Sequence, residues 1–276
     1  MTKHTLLLIA TIILIVSIGT IGCALDLPVD AVDENEQLTE QDEAEEENEG
    51  ESNPNVFLET FDTLDTSVWQ VATWSEHGGQ TGYDRCFVED GKLNMIFIND
   101  SVDGYLNAAL QTREEYLYGT WEASLKPSSV PGVLNSFFTI DWDDMSTSSS
   151  TSDGTKQEID IEFLTYTFAE DFGRVHYAVH AEGYNSYESV PDIALDFNPS
   201  DDFHTWGFEI TPEFIRWFVD DITLRTYTYS EGDINITEPY QLKLNVWSKE
   251  NWINGPPEAD VECIYQIDWI RFTPAE

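Results

Sequence analysis

Beyond residue 55 the chain is written in short blocks. Segments 87–98, 105–112, 116–126, 133–142, 157–166, 174–182, 203–210, 214–220, 241–247 and 263–272 alternate apolar with polar residues or are rich in β-branched and aromatic types. Both patterns predict strands. Turn residues separate them, among them Asp90-Gly91, Asp103-Gly104, Val130-Pro131-Gly132, Asn198-Pro199 and Thr211-Pro212. Helix signals are few and no internal period marks a repeat array. Many short strands at regular spacing predict an all-β fold. The expected architecture is a β-jelly-roll sandwich of two antiparallel sheets in a single domain, 55–276. Two stretches read as loops: the glycine-rich WSEHGGQTGYDR at 74–85 and the serine-rich STSSSTSDG at 146–154.

One strand carries unusual chemistry. In KQEIDIEFL (156–164) three acids occupy every second position. Side chains alternate across a strand, so Glu158, Asp160 and Glu162 share one face while Ile159, Ile161 and Phe163 point into the core. The outer α-carbons lie roughly 13 Å apart at about 3.3 Å per residue. Long Glu side chains can lean over the shorter Asp, toward the separation of about 5–5.5 Å that a retaining glycosidase uses. One Glu would attack as the ionised group and the other would donate a proton. Crowding of like charges raises the proton affinity of at least one of them. The central Asp would orient the nucleophile. A solvated acidic strand face is the competing reading of the same triplet.

Composition narrows the ligand. The chain holds 15 Phe, 12 Tyr and 9 Trp, which suit sheet packing and a surface on which flat rings stack. Its formal net charge is −41, from 53 acids against 12 bases. That excludes nucleic acid as a natural partner, because phosphate binding needs clustered Lys and Arg. An anionic polysaccharide would also be repelled, which leaves a neutral one. Adaptation to a salty medium would produce the same acidity.

The N-terminal region reads as an address and a tether. Residues 6–22 are apolar after a start containing Lys3, the pattern of a signal peptide over 1–22. Thr20-Ile21-Gly22-Cys23 resembles a bacterial lipoprotein signal, which would make Cys23 the lipid-bearing first residue and the membrane a partner. An uncleaved anchor helix is the alternative. In both readings the protein is exported and held at the cell surface. Residues 24–54 carry 13 acids and no Lys, Arg or aromatic residue. Like charges and scarce apolar surface predict a disordered linker over 23–54. Cys86 and Cys263 could pair as a disulfide if their strands are neighbours. No Cys/His cluster with zinc spacing is present.

The strand EIDIEF is similar to the active-site strand of family 16 glycoside hydrolases. TREEYLYGTWEASLKP (112–127) resembles the strand that precedes it by two, and VLNSFFTI (133–140) the strand before it. FHTWGFEITPEFIRWFVDD (203–221) resembles a later run of the family, with Asp221 in place of Gly, and YQIDWIRF (265–272) its closing strand. The resemblance implies Glu158 as nucleophile, Asp160 as its partner and Glu162 as acid/base, with no cofactor required. The unbulged E-x-D-x-E spacing is that of lichenases and plant xyloglucan-active members. Asn245 and Trp247 match a cleft-lining Asn-x-Trp of lichenases. The Glu and Arg that lichenases place on the strand before the Tyr-Gly motif align with Ala109 and Gln111. His180 lies where lichenases carry a cleft Tyr; it reaches the site or is a structural histidine. Trp142 is a further aromatic candidate, and Trp74 and His77 are candidates for the cleft rim. His204 and Trp206 serve the fold. The family often holds a structural calcium, whose ligands match Asp268 and Gly91. The expectation is a monomeric, retaining endo-glycosidase acting on a neutral β-glucan, with mixed-linkage β-1,3-1,4-glucan first. A xyloglucan or other β-glucan hydrolase or transglycosylase is the alternative. Two readings from other classes are a non-catalytic glycan-binding jelly roll and a structural surface protein.

Overall fold

The computed structural model describes residues 56–141, 157–181, 186–189, 192–229 and 234–276. The expected signal peptide and linker, Cys23, Trp142 and the serine-rich segment lie outside these residues. The strands run in chain order as β1 (Phe57–Glu59), β2 (Trp69–Val71), β3 (Ser75–Glu76), β4 (Gly79–Thr81), β5 (Cys86–Glu89), β6 (Lys92–Asp100), β7 (Gly104–Thr112), β8 (Gly119–Lys126) and β9 (Leu134–Ile140). They continue as β10 (Glu158–Leu164), β11 (Gly173–Ala181), β12 (Ser186–Ser189), β13 (Ile193–Leu195), β14 (His204–Ile210), β15 (Phe214–Val219), β16 (Ile222–Thr228), β17 (Gln241–Trp247) and β18 (Glu262–Pro274).

Two sheets result, antiparallel except where the short β4 runs parallel to β7. One has the order β2-β7-β17-β9-β10-β11, with β12 and β13 on the outer edge of β11. The other has the order β16-β15-β14-β8-β18-β6-β5, with β1 beside the end of β18. Strand β7 belongs to both: its first residues pair with β6 and the rest with β17 and β2. The all-β sandwich expected from the sequence is therefore the observed fold.

The core lies between the sheets. Ile159, Ile161 and Phe163, the inward side of β10, are fully buried. Rings from the two sheets meet there. Phe163 packs edge-on to Trp206 at 4.7 Å between centroids, Phe137 lies 5.3 Å from Phe208 and Tyr177 lies 5.8 Å from Trp217. Each such buried side chain contributes about 1.5–3 kcal/mol through removal from water. The Trp217 indole also donates a hydrogen bond of 3.1 Å to the carbonyl of Asp160, so the second sheet fastens the backbone of β10 from behind. His204 pairs with Asp220 at 2.6 Å and Trp206 is fully buried, both structural placements.

Local details differ from the sequence reading for identifiable reasons. Segment 87–98 is a hairpin, not one strand: Asp90 and Gly91 both have positive φ (51° and 68°) and Glu89 pairs with Lys92. Two positive φ values in a two-residue loop define the turn that matches strand twist. Strand β16 went unread because its hairpin turn is Asp220-Asp221, with φ of 45° and 64°, where glycine is the usual signal. Asp220 is held there by its carboxylate, which accepts from Thr205 N at 2.8 Å. The disulfide is corrected outright. Cys86 pairs with Met95, and Met95 pairs on its other side with Tyr265, so β6 separates the two cysteine-bearing strands. Two strand spacings, about 10 Å, exceed the α-carbon limit of about 7 Å for a disulfide. Both thiols are free and buried, and burial pushes each up to about 12.

Candidate active site

Among the described residues no second sheet covers the outward face of the β2–β11 sheet, yet much of that face is buried. Asp160 is 5% exposed, Lys243 3%, Asn245 4% and Gln111 1%. Polar residues this enclosed on a solvent-side face line a recess. Its rows follow from register. Glu162 lies opposite His176 on β11 and Ser136 on β9, and Ser136 lies opposite Asn245 on β17. Asp160 shares a row with Phe138 and Lys243, and Glu158 with His180 and Ile140. The row beyond Glu162 ends the recess in apolar contacts among Leu164, Leu134, Trp247 and Ile253.

The three acids of β10 sit together on this face. Gln157 anchors the start of β10: its amide donates to Asn235 O at 2.9 Å and its carbonyl accepts from Thr237 N at 2.9 Å. Burial raises the Glu162 carboxyl well above the ordinary range, and the charges of Asp160, Glu158 and Asp192 raise it further. A carboxyl kept protonated in this way is fit to donate a proton near neutral pH. His180 Nε2 lies 3.4 Å from Asp160 Oδ2, so this histidine does reach the triplet. His176 Nδ1 meets Asp192 Oδ1 at 2.9 Å and stands edge-on to Trp252, 6.1 Å between centroids.

The opposite flank is built by a hairpin that the sequence reading took for loop. Glu76, the last residue of β3, pairs with Gly79 across a two-residue loop, His77-Gly78, with φ of 49° and 81°. Its carbonyl accepts from Asn107 Nδ2 at 2.5 Å. A side chain at Gly79 would stand 2.6 Å from that same Asn107 amide, so only glycine lets the hairpin approach so closely. Arg85 locks the arrangement through Asn107 O at 2.9 Å and Gln80 O at 3.1 Å. Glu76 Oε1 then receives Lys243 Nζ at 3.1 Å and Asn245 Nδ2 at 3.1 Å, with His77 Nε2 at 3.6 Å. Burial alone would raise Glu76; Lys243, His77 and Asn245 outweigh it and hold the carboxyl below the ordinary value.

Most of the residues singled out from sequence converge here. Glu158, Asp160, Glu162, Asn245, Trp247 and His180 all line the one face. Trp247 is not an open platform: it is 4% exposed and the His77 ring stacks flat on it, 3.8 Å between centroids and 8° between planes. The exposed indole at that end is Trp252, 40% exposed. Ala109 and Gln111 lie opposite Asn245 and Lys243. Glu76, Lys243, His176 and Asp192 were missed. A signal existed for Lys243, a base two positions before Asn245 on the same strand face in a strongly acidic chain.

Asp268 lies on β18 and Gly91 in the turn between β5 and β6. The Asp268 carboxylate faces Lys92 Nζ at 3.7 Å.

A carboxylate triplet on the recessed face of a two-sheet sandwich defines a jelly-roll enzyme acting on glycans. The chain belongs to Glycosyl hydrolases family 16, whose profile matches residues 81–271, and it is a glycoside hydrolase. A beta-glucanase from Paenibacillus polymyxa is 28% identical over 229 residues, 79% of this chain and 88% of the relative. Among solved structures, the Bacillus licheniformis beta-glucanase superposes with a TM-score of 0.67 at 24% identity, covering 80% of this chain and 98% of that one. A prokaryotic beta-1,3-1,4-glucanase (lichenase) from a mouse hindgut metagenome superposes with a TM-score of 0.66 at 26% identity, covering 80% and 99%.

Proposed function

We propose that this enzyme hydrolyses internal bonds of mixed-linkage β-1,3-1,4-glucan with retention of configuration. Glu158 is the nucleophile, Glu162 the acid/base and Asp160 the group that orients Glu158. The observation that carries the assignment is the raised Glu162 carboxyl beside two further acids on one strand face. In the first step the Glu158 carboxylate attacks the anomeric carbon while Glu162 gives its proton to the departing glycosidic oxygen. In the second step Glu162, now ionised, takes a proton from water, and the water oxygen displaces Glu158. His180 beside Asp160 helps fix the nucleophile's partner. Carboxylates supply all of this chemistry, and no cofactor takes part. The substrate follows from the lichenase likeness and from the acidity of the chain, which favours a neutral polymer.

Glu158→Gln tests the assignment. Turnover of barley β-glucan should fall by at least about a thousandfold, with oligosaccharide binding and Tm retained. Full activity in that variant would refute it. Proton NMR of the first-formed reducing ends should show the β-anomer. Export and tethering through an acylated Cys23 belong to the same proposal. Cells making Cys23→Ala should release the protein from membranes, and unchanged membrane retention would argue against the anchor.

A further inference from the structure

We propose that His176, braced by Asp192, is a positioning residue for Glu162: it supplies the positive charge against which Glu162 ionises when the glycosidic bond breaks. The proposal rests on the acid/base role given to Glu162 above and names the group that lets so crowded a carboxyl release its proton.

Sheet register lines these residues up. Glu162 lies opposite His176 on one side, and the pairing of Val175 with Ile193 sets Asp192 beside His176 on the other. Directly opposed residues of an antiparallel pair have Cβ atoms about 4.5–5.5 Å apart on one face. His176 therefore stands between two carboxyls. Asp192 Oδ1 lies 2.9 Å from His176 Nδ1. A carboxylate only accepts, so Nδ1 carries the ring proton and Nε2 is the basic nitrogen. Nδ1 and the Cδ2–Nε2 edge lie on opposite sides of an imidazole. With the first turned to Asp192, the second is turned toward β10 and Glu162. The brace is itself held: Arg174 Nη1 donates to Asp192 O at 3.3 Å. Trp252 stands edge-on to the ring, and the His176 side chain is 13% exposed.

The surrounding charges decide what this histidine does. Strand β10 brings Glu158, Asp160 and Glu162, β11 brings Arg174 and His180, and Asp192 comes from the turn into β13. Arg174 is engaged with Asp192 O and lies over the Phe172 ring at 5.4 Å, and His180 lies against Asp160. His176 is thus the group placed to turn cationic between Asp192 and Glu162. As Glu162 passes its proton to the departing sugar oxygen, a carboxylate appears that Asp160 and Asp192 oppose. His176 Nε2 then takes a proton from solvent water and meets the new carboxylate as an imidazolium. In the second step the proton of the attacking water goes to Glu162, and His176 returns its own to solvent, so the cycle consumes no proton. An opposite charge at such range changes proton affinity about tenfold to a thousandfold.

Leaving groups separate this role from a structural one. Barley β-glucan needs the Glu162 proton, whereas a dinitrophenyl glycoside of a mixed-linkage oligosaccharide departs without it. His176→Phe keeps a ring against Trp252 and removes both nitrogens. His176→Gln keeps an amide to donate to Asp192 and cannot take up a proton. In both variants kcat/KM on barley β-glucan should fall at least about tenfold, with kcat/KM on the dinitrophenyl glycoside within about threefold of wild type. An equal fall on both substrates overturns the proposal, because the residue would then serve only the fold. Full glucan activity in His176→Gln also overturns it, because bracing without charge would suffice. Wild-type glucan activity in Glu162→Gln overturns the acid/base reading and this proposal together.

Discussion

Glu162 and Glu76 are two carboxyls on one recessed face, both crowded by protein, and their proton affinities move in opposite directions. Burial raises Glu162, and three acids, Asp160, Glu158 and Asp192, add to it. Burial pushes Glu76 the same way, but Lys243, His77 and Asn245 reverse the outcome. Enclosure sets the size of the stakes and the neighbours set the sign. One of them is thus kept protonated, as the proposed acid/base role requires. The other holds a charge fixed against a partner, which suits recognition.

The sharpest way to break this contrast is Glu162→Gln. Loss of the proton donor should lower kcat on β-glucan by about 10²–10⁴-fold. The same change should raise stability near pH 7. The folded chain binds the Glu162 proton more tightly than the unfolded chain does, so stability falls as pH climbs from the ordinary carboxylate range through the raised value. Glutamine has no proton to lose. Urea unfolding of the two proteins should therefore differ at pH 7 and converge near pH 4; equal stability at both would show that Glu162 is not perturbed.

Lys243→Met alone should produce the converse. It leaves Glu76 charged, buried and without its ammonium, at a cost of about 3–5 kcal/mol. Wild-type Glu76 contributes stability above its unfolded value and loses it as pH falls through the lowered one. The variant's deficit should therefore be large at pH 7 and shrink on acidification, read as urea midpoints. The smallest expected effect is at Asp192. Replacing it with Asn removes one of the charges that raise Glu162, so the alkaline limb of kcat/KM should move toward lower pH by a fraction of a unit. A limb displaced toward higher pH would contradict the electrostatic account.

Sequence made the acidic strand readable because its signal is local. Period-two alternation over 158–163 fixed both the acid face and the Ile159, Ile161, Phe163 core face, and the observed strand has that division. Asn245 and Trp247 were reached through the resemblance to lichenases, and the register puts them on the same face as the acids. What sequence hid depends on contacts distant along the chain. Glu76 meets Asn245 across 169 residues, and among so many acids nothing in the residues 74–85 set it apart. The turn at Asp220-Asp221 escaped because its left-handed backbone is supported by tertiary hydrogen bonds in place of glycine. The proposed disulfide failed for a related reason: adjacency of strands to β6 on opposite sides is a property of sheet order, which flanking residues do not encode.

The hairpin that carries Glu76 and His77 also bears on how new specificities could arise. It is a short excursion closed by a two-residue loop and clamped by Arg85 and Asn107, while the acids of β10 reside on a different segment tied to the far sheet through Trp217. A graft of equal length between Thr73 and Gly82 would exchange this flank as a cassette and leave the acidic strand in its original frame.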